Sequence, residues 1–210
     1  MIAYLQHFSS YRQNNPNELT HQQLISLEQE IKHPNSTTIS DEYLDFILWC
    51  RNLPSRQESF ANYLLRRLPK HYGSKILEIG CGRTAKLSRL LSEKGFCMTC
   101  IDPNVELQNN TIHCIKGKFD YTKFDLSSYD FIIAQEPCDA TEHIVRACIN
   151  QNKPFIMSLC GVPHKLISGK MPKDIQEWYN YLQNISCKKL KLFYVSLDPL
   201  STTAILKNKI

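Results

Sequence analysis

The pattern of apolar and polar positions changes character near residue 74. Before it, apolar residues recur at helical spacing and no strand pattern is present. Leu19, Leu24, Leu27 and Ile31 mark a helix within 17–31, closed by His33-Pro34. Ser40 caps a second helix with a stripe of Tyr43, Leu44, Ile47 and Leu48, which Pro54 breaks. Ser55 caps a third, with Phe60, Tyr63, Leu64 and Leu68 facing inward, ending near Pro69 and Gly73. From Ser74 onward, apolar runs at 76–79, 96–101, 111–116, 130–135 and 154–160 alternate with helical stretches. One stretch carries Leu87, Leu90 and Leu91 and stops at Gly95. Another opens on Asp139-Ala-Thr-Glu142, a variant capping box, and buries Ile144, Val145 and Cys148. A third starts at Pro172 and places Ile175, Trp178, Tyr179, Leu182 and Ile185 on one face. Two last strands, about 190–197 and 202–207, flank Asp198-Pro199. This alternation predicts an α/β fold, a parallel sheet with helices on both faces. The expected domains are a helical extension, 1–73, and the α/β domain, 74–210.

The chemistry concentrates in Lys75-Ile-Leu-Glu-Ile-Gly-Cys-Gly-Arg83. A short strand runs into a glycine turn, then a helix, then a second strand ending in Asp102. Gly80 and Gly82 allow backbone N–H groups to approach a ligand, and Asp102 can hold two ribose hydroxyls. The spacing Gly80-x-Gly82-x-x-Ala85 also fits a dinucleotide fingerprint, so the turn alone does not name the nucleotide. Glu78 separates the alternatives. A carboxylate two positions before the first glycine is awkward beside a pyrophosphate and suits a ligand with an amino group and a sulfonium.

The segment Glu78-Ile-Gly80-Cys-Gly82 resembles the first motif of the class I S-adenosylmethionine-dependent methyltransferases, an acidic residue followed by x-Gly-x-Gly. Thr84 stands where a third glycine is common. The resemblance covers 74–210. It implies a Rossmann-like sheet, mostly parallel with an antiparallel last strand, and S-adenosylmethionine as cofactor. It also implies roles. Glu78, Gly80, Cys81, Gly82 and Arg83 would cradle the methionine part, Asp102 the ribose, and Asp120, after the third strand, the adenine amino group. Gln135 opens the fourth-strand exit, Gln135-Glu-Pro-Cys138, which would face the transferable methyl. There Glu136 could orient the acceptor or act as base. Cys138, following Pro137, is similar in position to the nucleophile of cytosine-C5 methyltransferases. His143 and His164 are further candidates on the same rim. Helices ahead of the first strand can cover the cofactor or shape the substrate cleft. Two alternatives remain open: a non-catalytic methyltransferase-like protein that keeps the ligand, and a nicotinamide-dependent oxidoreductase.

Composition adds bounds. With 42% hydrophobic and 21% charged residues, the chain is ordinary for a globular protein. No run approaches the roughly 18 apolar residues of a membrane span, so no membrane partner is expected. The nine cysteines, without a secretory leader pattern at the N-terminus, suggest a reducing cytoplasmic compartment. Cys97 and Cys100 have metal-like spacing, but on a strand they point to opposite faces, and no metal is expected. The net charge of +5 comes from residues 151–210, with nine basic and three acidic side chains. Lys165, Lys170, Lys173, Lys188, Lys189 and Lys191 could favour an anionic acceptor such as nucleic acid, though no recognised binding module accompanies them.

Overall fold

The computed structural model describes residues 2–16, 18–33, 40–68, 73–107, 110–197 and 202–208. Pro34, Pro69 and Asp198-Pro199 lie outside them. The chain forms two compact units, Met1–Ser59 and Phe60–Ile210.

The first unit holds helices α1 (Ile2–Asn14), α2 (His21–Lys32) and α3 (Asp41–Cys50), and the start of α4 (Arg56–Leu65). α1 is a helix that apolar spacing does not mark. Thr20 caps α2 by a reciprocal box: its hydroxyl accepts the Gln23 N–H, and the Gln23 side chain accepts the Thr20 N–H. Ser40 caps α3 by accepting the Tyr43 N–H at 3.1 Å. The buried side of α3 is Phe46 and Leu48; Tyr43, Leu44 and Ile47 are only partly covered. The aromatic rings decide this rotation. Phe46 meets Phe8 and Tyr11 edge-on, with centroids 6.0 and 5.1 Å apart. Ser55 and Glu58 form a second capping box, which starts α4. The unit boundary falls inside α4: Phe60, Ala61, Tyr63 and Leu64 are buried with Ile76 and Leu87 in the second unit's core.

The second unit is a seven-stranded sheet. Its strands are β1 (Lys75–Ile79), β2 (Cys97–Asp102), β3 (His113–Lys116), β4 (Phe131–Gln135), β5 (Phe155–Leu159), β6 (Leu190–Val195) and β7 (Thr203–Asn208). Their order is β3-β2-β1-β4-β5-β7-β6, and β7 alone runs antiparallel to its neighbours. Period-2 alternation divides the core. Leu77, Ile79, Ile132, Ala134, Met157 and Leu159 pack on one face against α6 (Thr141–Asn150) and α7 (Ile175–Ile185). Ile76, Ile133, Ile156 and Ile205 pack on the other against α4 and α5 (Lys86–Ser92). The order reverses between β1 and β4, so the ligand crevice of an open parallel sheet lies at the carboxyl ends of these two strands.

Two helix starts differ from expectation. Asp139 and Glu142 do not form a capping box. A short 3-10 turn, Cys138–Ala140, precedes α6, and no side chain caps it. Asp139 instead accepts the His164 N–H at 2.9 Å. Glu142 is buried, where it accepts from Arg146, from the Tyr181 hydroxyl and from the Ile167 N–H. α7 begins at Ile175, not Pro172, because Asp174 caps it by accepting the Glu177 N–H. Ile175 is consequently exposed, while Trp178, Tyr179 and Leu182 are buried.

Trp178 is 1% exposed and stacks on Tyr181 at 5.7 Å. Trp178→Ala should lower the unfolding free energy by about 3–5 kcal/mol. A urea titration checks this through a lower midpoint at unchanged slope.

Candidate active site

The glycine turn after β1 is shaped by what it touches. Gly80 has φ +78° and donates its N–H to the Ile101 carbonyl at 2.9 Å. A Cβ placed on it would lie 3.2 Å from Cα and Cβ of Pro137, so the turn rests directly on the exit of β4. Gly82 has φ +67°, and a Cβ there would meet nothing within 4 Å. Its N–H donates to Asp102 Oδ2 at 3.0 Å. Asp102 Oδ1 accepts the Asn104 N–H at 2.8 Å, and the Asp102 carbonyl accepts the Gly117 N–H at 3.1 Å. Arg83 is tied to Glu106 twice, through its carbonyl at 2.9 Å and its guanidinium at 3.2 Å. Cys81 turns inward. Its thiol is buried beside Cys100, whose hydrogen bond, with burial, pushes the Cys81 pKa up. Cys81 therefore offers the crevice its backbone rather than its sulfur.

Glu78 shares the α5 face of the sheet. It is 2% exposed, and it accepts a short hydrogen bond from the Ser88 hydroxyl. Burial pushes its pKa up to about 7 against the opposing effect of the Ser88 hydrogen bond, with Asp102 adding a further rise. Ser88 has no motif of its own. Its one sequence signal is a hydroxyl on the same inward side of α5 as Leu87 and Leu91.

At the exit of β4, Glu136 and Cys138 both have left-handed backbones, with φ of +50° and +47°. Non-glycine residues held there cost roughly 1–3 kcal/mol each, a form of strain found at ligand sites. Two buried side-chain oxygens, Gln135 Oε1 and Ser158 Oγ, have no hydrogen-bond partner among the described residues. These residues are direct partners across the β4–β5 rung, so their side chains share a face at the strand ends. Neither the Ser158 position nor its pairing with Gln135 was visible in the sequence. Cys138 is exposed, and its sulfur lies 3.5 Å from that of Cys160. Its pKa is raised, first by the Cys160 hydrogen bond and then by burial.

Asp120 lies on the turn after β3 and closes that turn. Its carboxylate accepts the Thr122 N–H and hydroxyl at 3.0 and 2.8 Å, and these bonds hold its pKa low. His143 Nδ1 faces the Tyr121 N–H at 3.4 Å, and its ring meets Tyr121 edge-on. His164 is exposed on the loop after β5. The structure thus brings Glu78, Gly80, Gly82, Asp102, Gln135 and Glu136 to the carboxyl ends of adjacent strands β2, β1 and β4. Asp120 sits one strand further out.

Solved structures share this fold. A chain of the Haloferax volcanii complex between the Trm112 methyltransferase activator and a protein assigned as a methyltransferase aligns at a TM-score of 0.51 and 15% identity, over 81% of this chain and 97% of that one. The fold is that of the class I methyltransferases. A Leishmania major SAM-dependent methyltransferase aligns at 0.49 and 18% identity, over 73% of this chain and 71% of its own. An Anabaena variabilis protein assigned as an antibiotic-pathway methyltransferase aligns at 0.47 and 15% identity. This chain covers 64% of the Anabaena protein's length, and 65% of this chain is matched. No protein-family model matches the sequence, and no curated protein matches it.

The Glu78 environment makes stability depend on pH. Its folded pKa of about 7 exceeds the ordinary 4.5, so the folded state favours the protonated form. The stabilisation is complete below pH 4.5 and is lost as pH rises through 7. The loss amounts to about 3 kcal/mol at 1.36 kcal/mol per unit. Glu78→Gln should remove this dependence. Urea unfolding from pH 4.5 to 8 should show the wild type losing stability relative to the variant, and parallel curves would reject the assignment.

Proposed function

We propose that the protein is an S-adenosylmethionine-dependent methyltransferase whose acceptor enters at the exits of β4 and β5. The observation that carries this reading is the pairing of Gly82 with Asp102 on a class I methyltransferase sheet. An open-sided glycine and a half-buried carboxylate stand at the ends of β1 and β2, beside the switch in strand order. Each Asp102 oxygen accepts one backbone N–H, which leaves lone pairs for two ribose hydroxyls. Gln135 Oε1, buried and without a hydrogen-bond partner among the described residues, fits the cofactor's ammonium group. Glu78 lies behind the turn, and a cationic ligand nearby would favour its ionised form. These residues fit the cofactor.

When bound, the cofactor supplies a methyl group on sulfonium, already activated for in-line displacement. The protein's task is then to align and desolvate the acceptor atom. Glu136, fixed in a left-handed conformation at the β4 exit, would orient the acceptor's N–H or O–H, or take its proton. Cys138 is the weaker nucleophile candidate, because its raised pKa keeps it a thiol. Lys165, Lys170 and Lys173 are exposed and have no ion-pair partner among the described residues. Between β5 and Asp174 the loop carries no acidic residue, and it is anchored by Asp139 and Glu142. This basic loop favours an anionic acceptor.

Isothermal titration with S-adenosylmethionine, S-adenosylhomocysteine and NAD tests the reading. The first two should bind and NAD should not. NAD binding alone would replace the reading with an oxidoreductase, and binding without turnover on broad acceptor pools would favour a non-catalytic protein. Gly82→Asp should abolish binding of both methionine-derived ligands in a folded protein. Asp102→Ala should weaken both by about 1.5–3 kcal/mol, the scale of hydrogen bonds to a charged group.

With an acceptor in hand, Glu136→Gln should slow methyl transfer and leave cofactor affinity within a few fold. An active Glu136→Gln enzyme beside a dead Cys138→Ser enzyme would move the chemistry to Cys138.

A further inference from the structure

We propose that Cys138 and Cys160 are an oxidation site, closing to a reversible disulfide across the exits of β4 and β5. Cys138 lies three residues beyond β4, and Cys160 directly follows β5. These strands run parallel with Gln135 opposite Ser158, so the chain segments leaving them start side by side. The backbone folds Cys138 back through its left-handed conformation, and its sulfur comes within 3.5 Å of Cys160. A disulfide needs about 2.05 Å, so the sulfurs must approach by roughly 1.5 Å.

The other thiols are less suited. Cys100 and Cys114 lie 3.3 Å apart, but they are direct partners across the β2–β3 rung and Cys100 is fully buried, out of reach of an oxidant. Cys97 and Cys187 are exposed, and neither has a sulfur partner among the described residues. Cys138 is exposed and Cys160 half-buried, so a small oxidant can enter from the crevice side.

The electrostatics agree with the geometry. The hydrogen bond shared by the two thiols lowers the Cys160 pKa against the effect of burial, which makes its thiolate the more accessible. A glutathione disulfide is a sufficient oxidant. The Cys160 thiolate attacks one of its sulfurs and expels one glutathione thiolate. Cys138, giving up its proton, then attacks the Cys160 sulfur of the mixed disulfide and expels the second. Two protein thiols are oxidised to one disulfide, and one glutathione disulfide is reduced to two glutathiones, which take up the two protons.

The bond does not depend on the proposed function; only its effect on turnover does. Closed, it ties the β4 exit to the β5 exit where the acceptor would enter.

The test uses the full chain treated with oxidised glutathione, alkylated, and mapped by mass under non-reducing conditions. A peptide pair joining Cys138 to Cys160 should appear, lighter than the two free peptides by two hydrogens. Both thiols should be lost together from the alkylated pool and restored by dithiothreitol. Cys138→Ser and Cys160→Ser should each lack the linked peptide. Independent alkylation of both cysteines, stable glutathione adducts on both, or a bridge at Cys100–Cys114 instead would overturn the proposal. A protein that forms the bond but binds S-adenosylmethionine in neither state would overturn the methyltransferase reading and leave this one standing.

Discussion

The carboxylate of Asp102 holds the site together. One oxygen receives the N–H of Gly82 and the other that of Asn104, while the same residue's carbonyl receives the N–H of Gly117. The exits of β1, β2 and β3 are therefore tied to a single residue. Two of the three go to the carboxylate, the stronger kind of acceptor when charged, and those from Gly82 and Gly117 bridge separate loops of the chain. The bond from Gly82 is one of the restraints on the glycine turn, beside that from the Gly80 N–H to the Ile101 carbonyl. Gly80 and Gly82 both have positive φ, and glycine carries the largest entropic cost of ordering.

The turn's other boundary is steric. Pro137 abuts Gly80 so closely that any side chain at Gly80 would force the β4 exit outward. The segment bearing Glu136 and Cys138 is thus positioned by the glycine turn after β1. A change in either is felt by the other through direct contact. The strain at Glu136 and Cys138 is sustained because Pro137 is buried between them and the Glu136 N–H is fixed to the Ser158 carbonyl at 3.0 Å.

Much of this was legible from residue patterns. All seven strands fall within about two residues of their expected positions, because β-branched and apolar runs bounded by turns leave little alternative. The caps at Ser40 and Ser55 were legible for the same local reason. What stayed hidden was decided by tertiary contacts. Asp139 and Glu142 have the spacing of a capping box, yet the loop after β5 supplies His164 and Ile167 N–H groups that claim both carboxylates. On α3, Phe46 is buried with Leu48 of the expected stripe, in place of Tyr43, Leu44 and Ile47, because Phe8 and Tyr11 offered it aromatic partners. In the candidate site, the motif singled out the glycines, Glu78 and Asp102, which the structure brings to the ends of β1 and β2. The bond from Ser88 to Glu78, the Gln135–Ser158 pair and the approach of Cys138 to Cys160 follow from strand register, which no local pattern encodes.

The placement of β7 has a consequence for how the sheet is completed. β5 is buried along its whole length, and it borders β4 on one side and β7 on the other. Its β7 side is covered only by a strand synthesised after α7 and β6. Asn208, at the end of β7, then locks the junction, accepting the Phe155 N–H and donating to the Lys153 carbonyl. A nascent chain lacking Thr203–Asn208 presents Phe-Ile-Met-Ser-Leu as an uncovered sheet edge, the kind of surface that recruits a strand from another molecule. The β5 edge is therefore the segment a chaperone would have to shield until β7 has been made and paired.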